Sequence, residues 1–196
     1  MSARRRTFAP VPGLTLVEVM VVVALVGILL MLVAPSMRSM ISAQRVQSIN
    51  AELVTDLQFA RGEAARRNRD VFVRFRSADG CYTIYVAEVA GSCDCRRTPG
   101  VNVCTGGPEE IKTVKLPVAD GVSLSASNVS GQQTLRFEKG HGTILPDGVF
   151  DPAASAPRFG VVITGSPRGQ LRTDINMSGR PRVCSPDGSI SQVPQC

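Results

Sequence analysis

Gly13-Leu14-Thr15-Leu16-Val17-Glu18 opens an almost unbroken apolar run that ends at Ala34 and carries a single charge, the carboxylate of Glu18. Leu14 to Ala34 is 21 residues, close to the roughly 20 apolar residues that cross a hydrocarbon core. Arg4, Arg5 and Arg6 lie just upstream, so the basic end is expected to stay cytoplasmic and the main body to face the other side of the membrane. A cleaved secretory signal is the competing reading. It is disfavoured because the run exceeds the usual span of about 7–15 residues, an acid sits near its start, and Val33-Ala34-Pro35 is a poor cleavage site. An unpaired carboxylate inside a bilayer costs several kcal/mol, so Glu18 marks a functional position.

Beyond Pro35, Met37, Ile41, Ile49, Leu53, Leu57, Ala60 and Ala64 recur at helical spacing, with Arg38, Arg45, Glu52 and Asp56 between them. This predicts one continuous helix whose second half is amphipathic. From Leu14 to Gly62 it would be roughly 74 Å long at 1.5 Å per residue. Pro35 removes one backbone donor and is expected to bend or loosen the helix. Arg61, Arg66, Arg67 and Arg69 cluster at its far end, where cations complement the helix dipole.

After Asp70 the texture changes to short β-branched and aromatic runs separated by Gly, Pro, Asn, Asp or Ser: 71–75, 82–86, 111–116, 121–124, 134–137, 159–164 and 170–175. The expected fold class is therefore α+β, a long N-terminal helix packed on a mostly antiparallel β head. Tryptophan is absent and aromatics are 5% of the chain, so Val, Ile, Leu and Phe must fill the core. Residues 147–157 read as a surface loop. Six cysteines, Cys81, Cys93, Cys95, Cys104, Cys184 and Cys196, all fall in the exported part, which favours disulfides. Joining Cys184 to Cys196 would staple the tail, for a nominal ~3 kcal/mol in the loop-entropy picture. The other four could pair among themselves. A zinc site is the alternative for them, although Cys93-x-Cys95 is tighter than the usual ligand spacing.

No phosphate-cradling glycine motif or nucleophile elbow occurs, and the one histidine, His141, lies in a glycine-rich turn. No enzyme activity, cofactor or metal is expected. Charge points elsewhere. The formal balance is +6, and because Lys112, Lys115 and Lys139 are the only lysines, 19 of the 22 basic residues are arginine. Between Pro157 and Arg182, Arg158, Arg168, Arg172, Arg180 and Arg182 face only Asp174. The guanidinium fork binds phosphate bidentately, so an exposed arginine ridge suits a polyanion; solubility or subunit contacts are the plainer roles.

The Gly13–Glu18 motif, the apolar run and Pro35 resemble the class III leader and first helix of type IV pilins and pseudopilins. Leu14 stands where most pilins have Phe. The resemblance implies a leader at 1–13, a membrane or filament-core segment at 14–35, an amphipathic half-helix at 36–69 and a globular head at 70–196. It further implies cutting after Gly13 by a prepilin peptidase, methylation of the new Leu14 amine, and passage from the inner membrane, with the head periplasmic, into an extracellular filament of other pilins. Glu18 would then pair with the Leu14 amine of a neighbouring subunit; snorkelling to the headgroups is its alternative. Leu135–Gly140, Gly160–Thr164 and Met177–Cys184 are similar to the head of the FimT/GspH branch of minor pilins. Within that branch, the Gly179-Arg180-Pro181-Arg182 pattern resembles FimT-type proteins that bind double-stranded DNA in natural transformation. That likeness implies phosphate contacts from Arg180 and Arg182, with Gly179 shaping the turn and the Cys184–Cys196 staple holding it; the arginine-rich charge pattern adds Arg168 and Arg172 to the expected DNA-binding set. A structural minor pilin, or a type II secretion pseudopilin that primes or caps a filament, shares the same leader, helix and fold. A membrane-anchored sensor or carbohydrate-binding domain is a third class, and retention of Met1–Gly13 would favour it.

Overall fold

The computed structural model describes residues 13, 15–88, 91–98, 103–128, 131–144 and 159–196, without the side chains of 32–35. Two compact units divide after Arg38. One helix, α1, runs Leu16–Arg67 and contributes to both.

In the first unit, Thr15 caps α1: its Oγ1 accepts the Glu18 amide at 3.3 Å. Thr-x-x-Glu is a helix-start sequence, and an anion in the first turn is favoured by the helix dipole. Glu18 thus has a local reason to stand where it does. The apolar side chains from Leu16 to Met31 are exposed, 74% and 80% at the two ends. Among the described residues no single helix is long and apolar enough to cross a membrane; Leu16–Met31 and Ser36–Arg67 meet the requirement only as a pair. Leu14 and the Pro35 side chain, with the bend expected there, lie outside the described residues, as do residues 1–12 of the leader and the 147–157 loop.

The second unit is built on the remainder of α1, which continues past the expected Gly62 to Arg67. Its strands are β1 (Val71–Arg76), β2 (Cys81–Val86), β3 (Ser92–Cys93), β4 (Cys104–Thr105), β5 (Glu109–Lys115), β6 (Val122–Asn128), β7 (Thr134–Phe137), β8 (Phe159–Gly165), β9 (Gln170–Ile175) and β10 (Pro181–Cys184). They form two four-stranded antiparallel sheets, β5-β2-β1-β7 and β10-β9-β8-β6, plus the small β3-β4 ladder. The fold is α+β, a helix packed on an antiparallel β head. Alternation decides which side chains point inward. Val71, Val73, Phe75, Ile84 and Phe137 from one sheet join Leu124, Val161, Ile163, Leu171 and Ile175 from the other in one core with Val46, Leu53, Leu57, Ala60 and Ala64 of α1. The helical stripe that does the packing begins later than the apolar spacing suggested, because Met37 and Ile41 are half exposed.

Polar residues interrupt that stripe, and each has a partner. Ser42 Oγ donates to the Arg168 carbonyl at 2.7 Å. Asn50 Oδ1 accepts the Thr173 hydroxyl at 2.8 Å. Asp56 accepts the Tyr82 hydroxyl and the Lys112 ammonium, both at 2.7 Å; burial, then that bond to Asp56, pushes the Tyr82 phenol far above its ordinary pKa. Glu63 takes both Arg66 Nε and Nη2 and also Arg67 Nε, while Arg67 Nη1 reaches Glu109 on β5.

The four clustered cysteines form two disulfides, Cys81–Cys95 and Cys93–Cys104, which excludes the zinc alternative for these thiols. They hold β3 and β4 over the outer side of the first sheet, where Phe72 and Tyr85 stack at 5.4 Å beneath Cys93. Strands β3, β4 and β10 were not read from the sequence: the first two are only two residues long, and β10 opens on Pro181.

The bonds from Arg66, and then from Arg67, lower the Glu63 pKa from 4.5 to about 2. A depressed carboxylate pKa stabilises the fold above its unfolded value and loses that contribution as pH falls through the folded one. We therefore expect the Tm of the chain to fall between pH 4.5 and about 2, and Glu63→Gln to lower the Tm at neutral pH while flattening this acid dependence. Parallel Tm curves for the two proteins would contradict the assignment.

Candidate functional site

Strands β9 and β10 pair as a hairpin with Ile175 opposite Pro181, Asp174 opposite Arg182 and Arg172 opposite Cys184. The turn between them is closed by the Gly179 amide on the Asn176 carbonyl at 2.9 Å. Asn176 Oδ1 accepts both the Arg180 amide at 3.1 Å and the Ser178 hydroxyl at 2.7 Å, the kind of side-chain scaffold that favours Asn in turns. Gly179 has φ +70°, a conformation open to glycine at little cost. Space matters as much: a Cβ at 179 would collide with the Gly142 carbonyl oxygen and lie 3.2 Å from Arg61 Cδ. The Arg61 Nε–H donates to that same Gly142 oxygen at 3.3 Å, and the Ile144 amide donates to the Met177 carbonyl at 3.0 Å. The arginine turn is therefore seated on a second turn, residues 138–142, and on α1.

Of the expected cluster, the structure brings together only part. Arg180 and Arg182 are exposed, and no ion pair or hydrogen bond holds either guanidinium among the described residues. Arg172 differs: its Nε donates to Asp174 Oδ1 at 2.7 Å. Arg168 lies in the β8–β9 turn, at the opposite end of β9, about 17 Å away at 3.3–3.4 Å per residue. Its carbonyl is anchored by Ser42 there. Arg158 lies outside the described residues.

The Cys184–Cys196 bond is present, but it does not hold the turn. Cys184 is at the far end of β10 from Gly179. The bond closes a tail in which the Ser185 hydroxyl donates to the Gln170 carbonyl at 3.2 Å and Ile190 is buried in the core. The turn depends instead on Asn176, Gly142 and Arg61. Sequence reasoning missed that contact. The Gly140-His141-Gly142 pattern was visible, yet its spatial neighbour is some 37 residues away in the chain.

Pairing elsewhere in the head gives this end its character. Arg45 is bound to Asp120, Arg76 to Asp79, Arg96 to Asp94 and Arg136 to Asp70, with Arg66 and Arg67 on Glu63. Two guanidinium groups left without a carboxylate on one hairpin offer positive charge and forked N–H donors to an external anion.

A family model described as "Type II transport protein GspH" matches residues 50–179. None of the curated proteins matches the chain. Among solved structures, the type IV minor pilin FimU of Pseudomonas aeruginosa is similar at 17% identity and a TM-score of 0.46, covering 70% of this chain and 90% of that one. A second crystal form of FimU gives 17% identity and 0.47, covering 71% and 88%. The minor pseudopilin EpsH of the Vibrio cholerae type 2 secretion system gives 17% identity and 0.46, covering 76% and 98%.

The geometry of the turn makes Gly179→Ala destabilising. We expect a loss of about 1–3 kcal/mol, the range for a strained left-handed residue, seen as a lower Tm with the disulfides intact. An unchanged Tm would show that the turn is not seated as described.

Proposed function

The chain belongs to the GspH family, which makes it a minor pilin or pseudopilin, and on that premise we propose that it captures double-stranded DNA for uptake in natural transformation. The observation that carries this reading is the pair Arg180 and Arg182, exposed on one hairpin and without a carboxylate partner among the described residues, while Arg76, Arg96, Arg136 and Arg172 of the head are committed to acids. Duplex DNA carries one negative charge per ~1.7 Å of axis, so a short cationic turn meets several phosphates at once. Each guanidinium can take two oxygens of one phosphate. Nothing in the turn selects base identity, and binding is expected to be independent of sequence. Retraction of the filament by other machinery then moves the DNA inward.

Asp174 limits the site. It stands opposite Arg182 and holds Arg172, so it keeps a third cation from the ligand. Assembly would rest on the other unit: cleavage after Gly13 by a prepilin peptidase frees a Leu14 amine, and Glu18 meets that amine on a neighbouring subunit inside the filament. The exposed apolar surface from Leu16 to Met31 favours this packing, and it would equally serve a structural minor pilin or pseudopilin that primes a filament without DNA. DNA retention separates the two.

With two to four phosphate contacts, the slope of log affinity against log salt should be about −2 to −4. We expect the full chain, in an uncharged detergent, to retard unrelated duplexes alike at low salt, and Arg180→Ala with Arg182→Ala to abolish the shift. Undiminished binding by that double variant removes the assigned site. Asp174→Asn should tighten binding by freeing Arg172; weaker binding would contradict its limiting role. Glu18→Ala should be processed and membrane-bound yet absent from filaments, and normal incorporation would refute the pairing.

A further inference from the structure

The turn that carries Arg180 is half of a larger surface. Gly179 is packed so closely on Gly142 that a Cβ would strike its carbonyl oxygen, and a Cβ at 142 would in turn lie 2.6 Å from Arg61 Cγ. Both glycines have left-handed backbones, φ +70° and +60°, and one arginine side chain of α1 fills the space against both. Arg180 and His141 are each the chain neighbour of a residue in that contact, one Cα step of about 3.8 Å from it. Lys139 belongs to the same 138–142 turn, which is fixed by the Gly142 amide on the Glu138 carbonyl at 2.9 Å and by the Lys139 amide on Asp70 Oδ1 at 2.9 Å. Lys139, His141 and Arg180 are all exposed.

The carboxylates nearby do not cancel this charge. Asp70 is held by Arg136. Glu138 is half buried, with its Oε2 accepting the Thr143 hydroxyl at 2.9 Å. Arg61, Lys139 and Arg180 therefore outnumber the single acid whose charge is left without a cation. Two turns closed over the same side chain form one cationic end to the head, wider than a single hairpin tip.

We propose that the 138–142 turn is part of the DNA-binding surface, with Lys139 supplying a phosphate charge contact and His141 an N–H donor beside Arg180. This rests on the DNA reading above and extends it to residues far from the Gly-Arg-x-Arg pattern. Arg61 is a positioning residue, since it reaches the site by holding both glycine turns. Gly142 and Gly179 are the residues that let the turns approach.

The test uses the full chain in an uncharged detergent and a fluorescently labelled short duplex, with anisotropy read across a salt series. Lys139→Ala with His141→Ala should weaken binding about fivefold or more and reduce the salt slope by about one, the effect of losing one phosphate cation. Lys139→Arg should restore the slope. Lys115→Ala removes the same charge from β5, where Lys115 reaches the Arg96 carbonyl, and should leave binding unchanged. If the Arg180→Ala, Arg182→Ala protein loses DNA while the Lys139→Ala, His141→Ala protein binds like wild type, this inference falls and the arginine hairpin stands alone. If Lys115→Ala weakens binding equally, overall charge rather than this surface is responsible, and the inference falls as well. If the unaltered chain does not bind, both readings fall together.

Discussion

Everything in the head depends on how α1 is locked against the two sheets. Its apolar stripe, Val46, Leu53, Leu57, Ala60 and Ala64, shares one core with both of them. A stripe of similar apolar residues leaves sliding by one turn, about 5.4 Å, weakly opposed. Directional bonds oppose it strongly. Ser42, Asn50 and Asp56 each sit within that stripe and engage a defined partner on the β head. Moving the helix would strand these buried groups, at about 1–3 kcal/mol apiece. Arg61 rides on the same helix, so the bonds that fix the helix also place the side chain that closes both glycine turns.

Charge is distributed in a way that complements this. Several arginines on the body of the head are bonded to acids, and some tie elements together, as Arg67 does between Glu63 and Glu109. At the hairpin tip the pattern changes, and Arg180 and Arg182 face solvent without an acid. An exposed ion pair contributes little to stability, commonly 0–1 kcal/mol, so leaving two arginines unpaired costs the fold almost nothing and leaves their donors for a ligand.

Periodicity made the helix and the longer strands legible. Leu53 to Ala64 repeat at helical spacing, and β8 and β9 alternate between buried and half-buried residues. Met37 and Ile41 misled because spacing cannot say where along a helix the core begins. The Gly-Arg-x-Arg segment was visible as a pattern, whereas the neutralisation of Arg172 was not, since Asp174 is two residues away and only the strand's outward face brings them together. The separation of Arg168 from Arg180 follows from strand length, which a count of arginines ignores. The seat of the turn could not be read at all: it joins residues 61, 142 and 179, and glycine leaves no side chain to announce a contact. The pairing of Cys81, Cys93, Cys95 and Cys104 was likewise undetermined by spacing and followed from which strands lie over the first sheet, whereas the expected Cys184–Cys196 bond is present.

The central claim is that DNA meets the end of the head where the 138–142 and 176–182 segments abut. Backbone amide shifts of the isotopically labelled chain in uncharged micelles, followed as a short duplex is added at low salt, test it most directly. The account predicts shift changes concentrated at 139–142 and 176–182, with the β8–β9 turn around Arg168 unmoved. Changes centred on that opposite turn, or none at any DNA concentration, would contradict it.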